Sequence, residues 1–515
     1  MALDNIIINK GQGGLGRPLD GTDYVSGLLF YTDATLPSGF TSSTRIKTIF
    51  SVQDAEGLGI TNASLGETKA IAKAVVGGTP AAGDTVILTY TGIDGAIVYL
   101  PIYTLTSGDA VSATTAAAAI AAAVNAQTIN FGFTGTNSTT SLLVTTKPGE
   151  GLFPNTGTLS FSSTVTGGTT LTWTQPTGSG STVLGVASDI DILHYHISEF
   201  FRLQPKGKLF VDLEATADVG TFAKITALQN YAQGGINQLG IYQKSAAFAT
   251  SQCNAIQGVV ATLESNHKPL IVILGAEISA TTDITTLTTN LHTLSDPQVS
   301  VTIAQDGANV GNHLWKATGK SITNVGEALG AVALSKVSES IAWLGKFQVA
   351  GSELDTLAFA NGQLLNNLSD GVVTSLDTQG FMLLRKIVDY AGSFHNRPYT
   401  CVALTNDYAF IHINRTFYKS IKNLRATVLP AVGSPVKVNT DGTLTGDVIN
   451  FFKSLAGQGL DVLLNNGELS DYSVTIDPTQ NVVSTGILYI TIQLLPVGVA
   501  DFITINIGFT DVITK

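Results

Sequence analysis

Residues Leu209 to Tyr242 read LFVDLEATADVGTFAKITALQNYAQGGINQLGIY, and the fold is decided in this stretch. Leu209–Leu213 is a short apolar run of strand length. Phe222–Tyr231 carries helical spacing, and Leu239–Tyr242 is apolar again. The alternation continues outward. Asn254–Glu264 reads as a helix, and Pro269–Leu274 and Val299–Ile303 as strands. Val325–Leu344 reads as a long helix with Ala and Leu on one side. Strands alternating with helices of this length predict a sheet flanked by helices, an α/β domain over residues 182–400.

The preceding segment has a different character. Residues 77–181 carry five charges only, Asp84, Asp94, Asp109, Lys147 and Glu150, in a background of Thr, Ser and Gly. Thr85–Tyr90, Ile97–Leu105, Ser141–Thr146 and Leu159–Ser163 read as strands separated by turn residues. One Ala-rich helix, Asp109 to Asn125, interrupts them. The pattern predicts a small β-rich domain inserted into a host, with Gly77–Pro80 and Pro176–Gly180 as hinges. Residues 1–76 supply an N-terminal arm and the first part of the host. Within them Asn5–Asn9 is a β-prone run around Ile6, Ile7 and Ile8, Tyr24–Tyr31 is a strand, and Thr68–Val76 is a short helix. Residues 401–515 read as α+β. Ile413–Leu424 and Asp447–Leu455 are helical, and Gly486–Leu495 and Asp501–Phe509 extended. In the last run Ile503, Ile505 and Ile507 share one face.

Composition narrows the function. Only 13% of the 515 residues are charged, against roughly 25% in an average soluble protein, while 44% are hydrophobic. Such a chain cannot cover its surface with Lys and Glu, so part of that surface is expected to be buried against other chains. A net charge of −11 with 27 Lys and Arg argues against a general nucleic-acid binder. No apolar run reaches the ~18 residues of a membrane span, and no basic, apolar leader opens the chain. Cys253 and Cys401 read as buried reduced thiols in a chain folded in the cytoplasm.

Chemical motifs are weak. Gly11-Gln12-Gly13-Gly14-Leu15-Gly16 has dinucleotide-loop spacing, but Arg17-Pro18-Leu19-Asp20-Gly21 is poorly suited to opening the helix that must follow. Gly319-Lys320-Ser321 ends like a phosphate loop, yet Leu314 stands where that loop needs glycine. His194 and His196 lack a third metal ligand at standard spacing. No catalytic residue, metal site or cofactor site is assigned. One charge pattern stands out. Arg415, Lys419, Lys422 and Arg425 fall on one helix face, either a solvated face or a docking stripe for an acidic partner.

The C-terminal stretch Gly486-Ile487-Leu488-Tyr489-Ile490-Thr491-Ile492-Gln493-Leu494-Leu495-Pro496-Val497-Gly498-Val499-Ala500-Asp501-Phe502-Ile503 resembles the end of contractile phage tail sheath proteins. Those proteins share its order of a strand, a Pro-Val turn, an Ala-acid-Phe-Ile step and a last strand. Tyr418-Lys419-Ser420-Ile421, and Asn450-Phe451-Phe452-Lys453-Ser454-Leu455 followed by Gly459-Leu460, resemble two helices of that family. Gly83-Asp84-Thr85, Val124-Asn125-Ala126 and Leu143-Val144-Thr145-Thr146-Lys147-Pro148-Gly149 are similar to the β domain inserted in many Mu-like sheaths. Gly13-Gly14-Leu15-Gly16-Arg17-Pro18 resembles a branch from phages and prophages of Bacteroidetes-like hosts. The usual Pro-Gly-Val-Tyr opening is absent, and Leu429-Pro430-Ala431-Val432-Gly433 replaces a Phe-Glu-Pro-Asn turn.

The resemblance implies a structural subunit, not an enzyme, made in the host cytoplasm and resident in the virion's contractile tail. Copies would stack as hexameric rings into a helical homopolymer around a tail tube protein, between baseplate and tail terminator proteins, and contract to drive genome ejection. No nucleic acid, membrane insertion or cofactor is implied. Ile6, Ile7, Ile8, Ile503, Ile505 and Ile507 are then candidates for strands exchanged between subunits. Arg415, Lys419, Lys422 and Arg425 are candidates for a tube-facing stripe. A different reading is another virion surface protein, or an adhesin using the β-rich insert to bind glycans.

Overall fold

A computed structural model describes residues 21–155, 161–505 and 507–509. Its centre is a six-stranded sheet. The strands run Ile46–Ile49, Lys208–Glu214, Val25–Tyr31, Gln238–Tyr242, Ile271–Gly275, Val299–Thr302 across the sheet. All pairs are parallel except Ile46–Ile49, which lies antiparallel along Lys208–Glu214. Leu28 stands opposite both Val211 and Gly240. The parallel strands are buried on both faces, which is why they appear as predominantly apolar runs, with uncharged exceptions such as Ser26, Gln238 and Ser300 in these four. Leu29, Tyr31 and Ile241 pack on one face with the helices Lys224–Tyr231 and Thr250–Ser265. Leu28, Phe30 and Val211 pack on the other with Asp189–Leu203 and Val325–Leu334. Helices on both faces and a reversal of strand order beside Val25–Tyr31 make this a doubly wound sheet. The mixed α/β architecture is therefore as anticipated.

Two helices on the second face approach very closely. A Cβ on Gly326 would lie 2.1 Å from the carbonyl oxygen of His196, so only glycine allows this crossing. The helix begun at Val325 ends at Leu334, ten residues short of the expected Leu344. Ser335 turns extended, and Arg415 takes the carbonyls of Ser335 and Lys336 that a longer helix would need.

Residues Thr68–Val76 are not the expected helix. Ile71–Gly78 is a strand, paired to Thr169–Thr174 on one side and Ser141–Thr145 on the other. Ala72, Ala74 and Val76 point inward in alternation, and this long-range pairing outweighs the helical preference of alanine. The strand borders a separate apolar core of Val86, Leu88, Tyr90, Ile120, Phe133 and Phe161, closed by two sheets and the helix Ala113–Ala126. The expected strand Ile97–Leu105 is split at Pro101 into Ile97–Tyr99 and Tyr103–Thr104. Entry and exit of this unit lie side by side, joined by Thr68 opposite Val186 and Ile71 opposite Val183.

The C-terminal region is built on two helices, Ile411–Val428 and Gly446–Asn465, both longer than the sequence suggested. They support a hairpin of Leu469–Thr475 and Thr491–Pro496, with a bulge at Ser470. Gly486–Leu495 is strand only from Thr491 onward. A short helix, Val482–Thr485, precedes it. The expected final strand, Asp501–Phe509, is not formed in its described residues. A strand needs a neighbour for its backbone groups, and none is offered among the described residues. Ile6, Ile7 and Ile8 lie outside the described residues, as does the Gly11–Gly16 run.

Candidate assembly surface

Doubly wound sheets bind ligands where strand order reverses, beyond the carboxyl ends of the strands. Here that crevice is filled by the chain itself. Ser188 caps the helix Asp189–Leu203 there. Thr32 Oγ1 donates to Asp189 Oδ2 at 2.6 Å, and Lys244 forms an ion pair with the same carboxylate.

The other weak motifs are likewise absorbed. Gly319 ends the helix Val310–Thr318 in the left-handed region, and the Ser321 hydroxyl donates inward to Ala360 O at 2.7 Å. His194 and His196 diverge on their helix. His194 meets Glu56 at 3.2 Å, while His196 is enclosed beside Phe30 and Tyr242. Burial holds His196 far down, at about 3. Among the described residues no group of three or more His, Cys, Asp or Glu could hold a metal. No described helix is long and apolar enough to cross a membrane.

The basic stripe does not form as a surface feature. The helix Ile411–Val428 turns Arg415, Lys419 and Lys422 toward the body of the protein, and only Arg425 is exposed. Arg415 is 4% exposed. Its Nη1 donates to Ser335 Oγ at 2.7 Å, and its Nη2 to Asp23 O at 3.4 Å. Lys419 bridges Asp23 and Glu468, 2.8 Å from Glu468 Oε1. Lys422 donates to Asn237 Oδ1. Desolvation lowers Arg415 to about 10 and Lys422 to about 8. A guanidinium enclosed this way cannot reach a separate tube. The i, i+4, i+7 spacing marked one helix face correctly, but that face is the one packed inward. The missing signal was long range: Asp23, Asn237 and Glu468 are remote in sequence and carry no local motif.

The surface that remains open is at the C-terminus. The hairpin Leu469–Thr475 and Thr491–Pro496 is a two-stranded sheet, so among the described residues neither strand is paired along its outer edge. Beyond it the apolar residues point to solvent. Ile503 and Ile505 are each 78% exposed and Ile507 is 95% exposed, with Phe502 and Phe509 alongside. The root of this segment is held by Arg397. Its Nε lies 3.5 Å from Asp501 Oδ2, and its guanidinium sits 4.4 Å from the centre of the Phe502 ring. Past Phe502 the chain leaves the body. Ile503, Ile505 and Ile507 thus lie on one exposed segment that follows the hairpin in sequence, and among the described residues no strand pairs with it. Arg397 gave no signal in the sequence.

Solved structures similar to the chain include the helical sheath of the anti-feeding prophage in its contracted state. It is 17% identical over 62% of this chain and 81% of that one, with a TM-score of 0.44. A sheath tail protein from Listeria innocua is 10% identical over 93% and 96% of the two chains, with a TM-score of 0.38. One from Desulfitobacterium hafniense is 12% identical over 92% and 94%, with a TM-score of 0.33. No curated protein matches the chain. The DUF2586, N-terminal domain, family matches residues 3–397. That match spans most of the sequence, and the chain accordingly belongs to the DUF2586 family.

Proposed function

We propose that this protein is the sheath subunit of a contractile phage tail or a related injection machine. Copies polymerise as a helical sleeve around a tail tube and shorten to drive that tube through an envelope. The observation that carries the reading is the C-terminal segment with Ile503, Ile505 and Ile507 exposed, following a hairpin that is open on both edges among the described residues. An isolated two-stranded sheet is marginal in water, and a free edge with apolar neighbours is a template for pairing. Strands added from adjacent copies satisfy both needs through main-chain hydrogen bonds. The sequence resemblance at Gly486–Ile503 supports the same conclusion.

Sparse charge suits such a lattice. Neutral Thr- and Ser-rich surfaces repack between two packings without stranding unpaired ions. Contraction then needs no nucleotide, because the extended lattice is a trapped state that releases by burying more surface between subunits. The inserted domain of residues 77–181 faces outward in this scheme. The tube-facing contacts lie elsewhere than on Arg415, Lys419 and Lys422.

Electron microscopy of the purified protein tests the reading. Hollow striated tubes are expected, and small discrete oligomers would overturn it in favour of an adhesin. Deleting residues 1–10 is expected to abolish tubes while the subunit still melts cooperatively. Tubes of normal appearance from that deletion would remove the N-terminal strand from the mechanism.

A further inference from the structure

The inward-turned basic residues line a cleft of about 790 Å³. Its walls come from three parts of the fold: Asp23 and Asn237 at the amino ends of two central strands, the Ser335–Lys336 turn, and Glu468 before the C-terminal hairpin. Four cations face it, Lys336, Arg415, Lys419 and Lys422, against two carboxylates, Asp23 and Glu468. Lys419 takes both carboxylates for itself. The other three cations are met only by neutral oxygens: Lys336 Nζ by Asn466 O at 3.2 Å, Lys422 by the Asn237 amide, and Arg415 by Ser335, Lys336 and the Asp23 carbonyl. One donor is left over. The Nε of Arg415 is buried without any hydrogen-bond partner. In a chain at −11, this is a concentrated and underused positive site.

From this geometry we infer that the cleft is a binding site for a phosphate-class oxyanion, free or as the head of a larger molecule. The donor pattern selects the anion. The Nη atoms of Arg415 are engaged with the protein, so no guanidinium fork remains for a planar carboxylate. What remains are separated single donors, Arg415 Nε–H and the ammonium groups of Lys422 and Lys336. Arg415 and Lys422 offer theirs from one helix and Lys336 from the Ser335–Lys336 turn, and single donors from two walls match a tetrahedral group with several oxygens. The cleft is far roomier than one such group needs, so it also admits an ester substituent. A bound anion would tie the α/β body to the C-terminal hairpin.

Isothermal titration of the full-length protein against inorganic phosphate, and separately against adenosine monophosphate, tests this at constant ionic strength. Saturable binding of at least one is expected. Tighter binding of the monophosphate identifies an ester head, and equal binding identifies the free ion. Lys422→Gln is expected to lower affinity at least about tenfold. Lys336→Gln, on a more exposed residue, is expected to lower it less. Circular dichroism and melting without ligand establish that each variant is folded. Binding to neither probe overturns the inference, as does binding that both variants retain unchanged.

Discussion

Replacing Ile503, Ile505 and Ile507 by serine should separate folding from assembly. All three are exposed in the single chain, so their loss should leave the stability of the subunit within about 0.5 kcal/mol of the parent, the usual range for surface substitutions. Assembly should respond very differently. Burying an isoleucine side chain is worth ~2 kcal/mol. With 78% of Ile505 still open to water, its burial in a neighbouring copy is worth ~1.5 kcal/mol. That is about tenfold in critical concentration for Ile505→Ser alone. The three positions together come to ~5 kcal/mol, more than a thousandfold. Pelleting over a concentration series gives the critical concentration, and urea melts of unassembled protein give the subunit's stability. Two results would refute the reasoning: a triple variant that assembles at the parent's critical concentration, or one whose subunit loses more than about 1 kcal/mol. The second would mean that the segment closes on its own chain.

Gly326→Ala should destabilise the subunit by ~2 kcal/mol or more, because the new methyl meets the His196 carbonyl at 2.1 Å and neither backbone can yield; thermal melting reads the loss. Lys419→Met should cost ~3 kcal/mol in urea melts, since Asp23 and Glu468 are left facing each other without their shared cation. Adding Asp23→Asn and Glu468→Gln to that variant should recover most of the loss. Asp212 is wholly enclosed on a central strand beside Glu214, and burial followed by the Glu214 charge pushes its carboxyl up to about 8. The folded state therefore keeps a proton that the unfolded chain releases near 4, so rising pH should erode stability between about 4 and 8. Asp212→Asn should flatten that slope in chemical melts at pH 5 and pH 8, and an unchanged slope would remove Asp212 as its source.

The central sheet was readable because its strands are buried on both faces. Leu209–Leu213 is apolar but for Asp212, Leu239–Tyr242 carries no charge, and such runs between helices are typical of a buried parallel sheet. Thr68–Val76 misled because alanines at alternate positions serve helix and strand alike, and what decides between them is a partner about seventy residues away, at Ser141–Thr145. The helix Asp189–Leu203 has a strongly apolar face of Ile190, Leu193, Ile197 and Phe200, but the polar His194 and His196 interrupt the run and mask its helical period. For the candidate surface, the alternation of Ile503, Ile505 and Ile507 was plain, and so was its use as a strand. That no strand among the described residues receives it is a property of three-dimensional placement alone. The basic positions failed for the converse reason. Helical spacing tells which side chains share a face, and nothing in Arg415, Lys419 or Lys422 says that Asp23 and Glu468 wait opposite.

The inserted unit hangs from the host by two crossings that are themselves hydrogen-bonded neighbours, at Ile71 and Val183. Cutting there and rejoining would span a gap of one strand spacing, a distance a tight turn covers. Away from the junction the unit meets the body at the helix Val310–Thr318, where Lys316 Nζ donates to Ile93 O at 3.0 Å and Leu152 N to Ala317 O at 2.8 Å, so an exchange would forgo those few contacts and leave the central sheet untouched. Such a junction behaves as a socket. A lineage could exchange the module for a shorter, longer or unrelated one while the doubly wound scaffold kept its geometry, and an engineer could seat a reporter or a receptor-binding module in the same place.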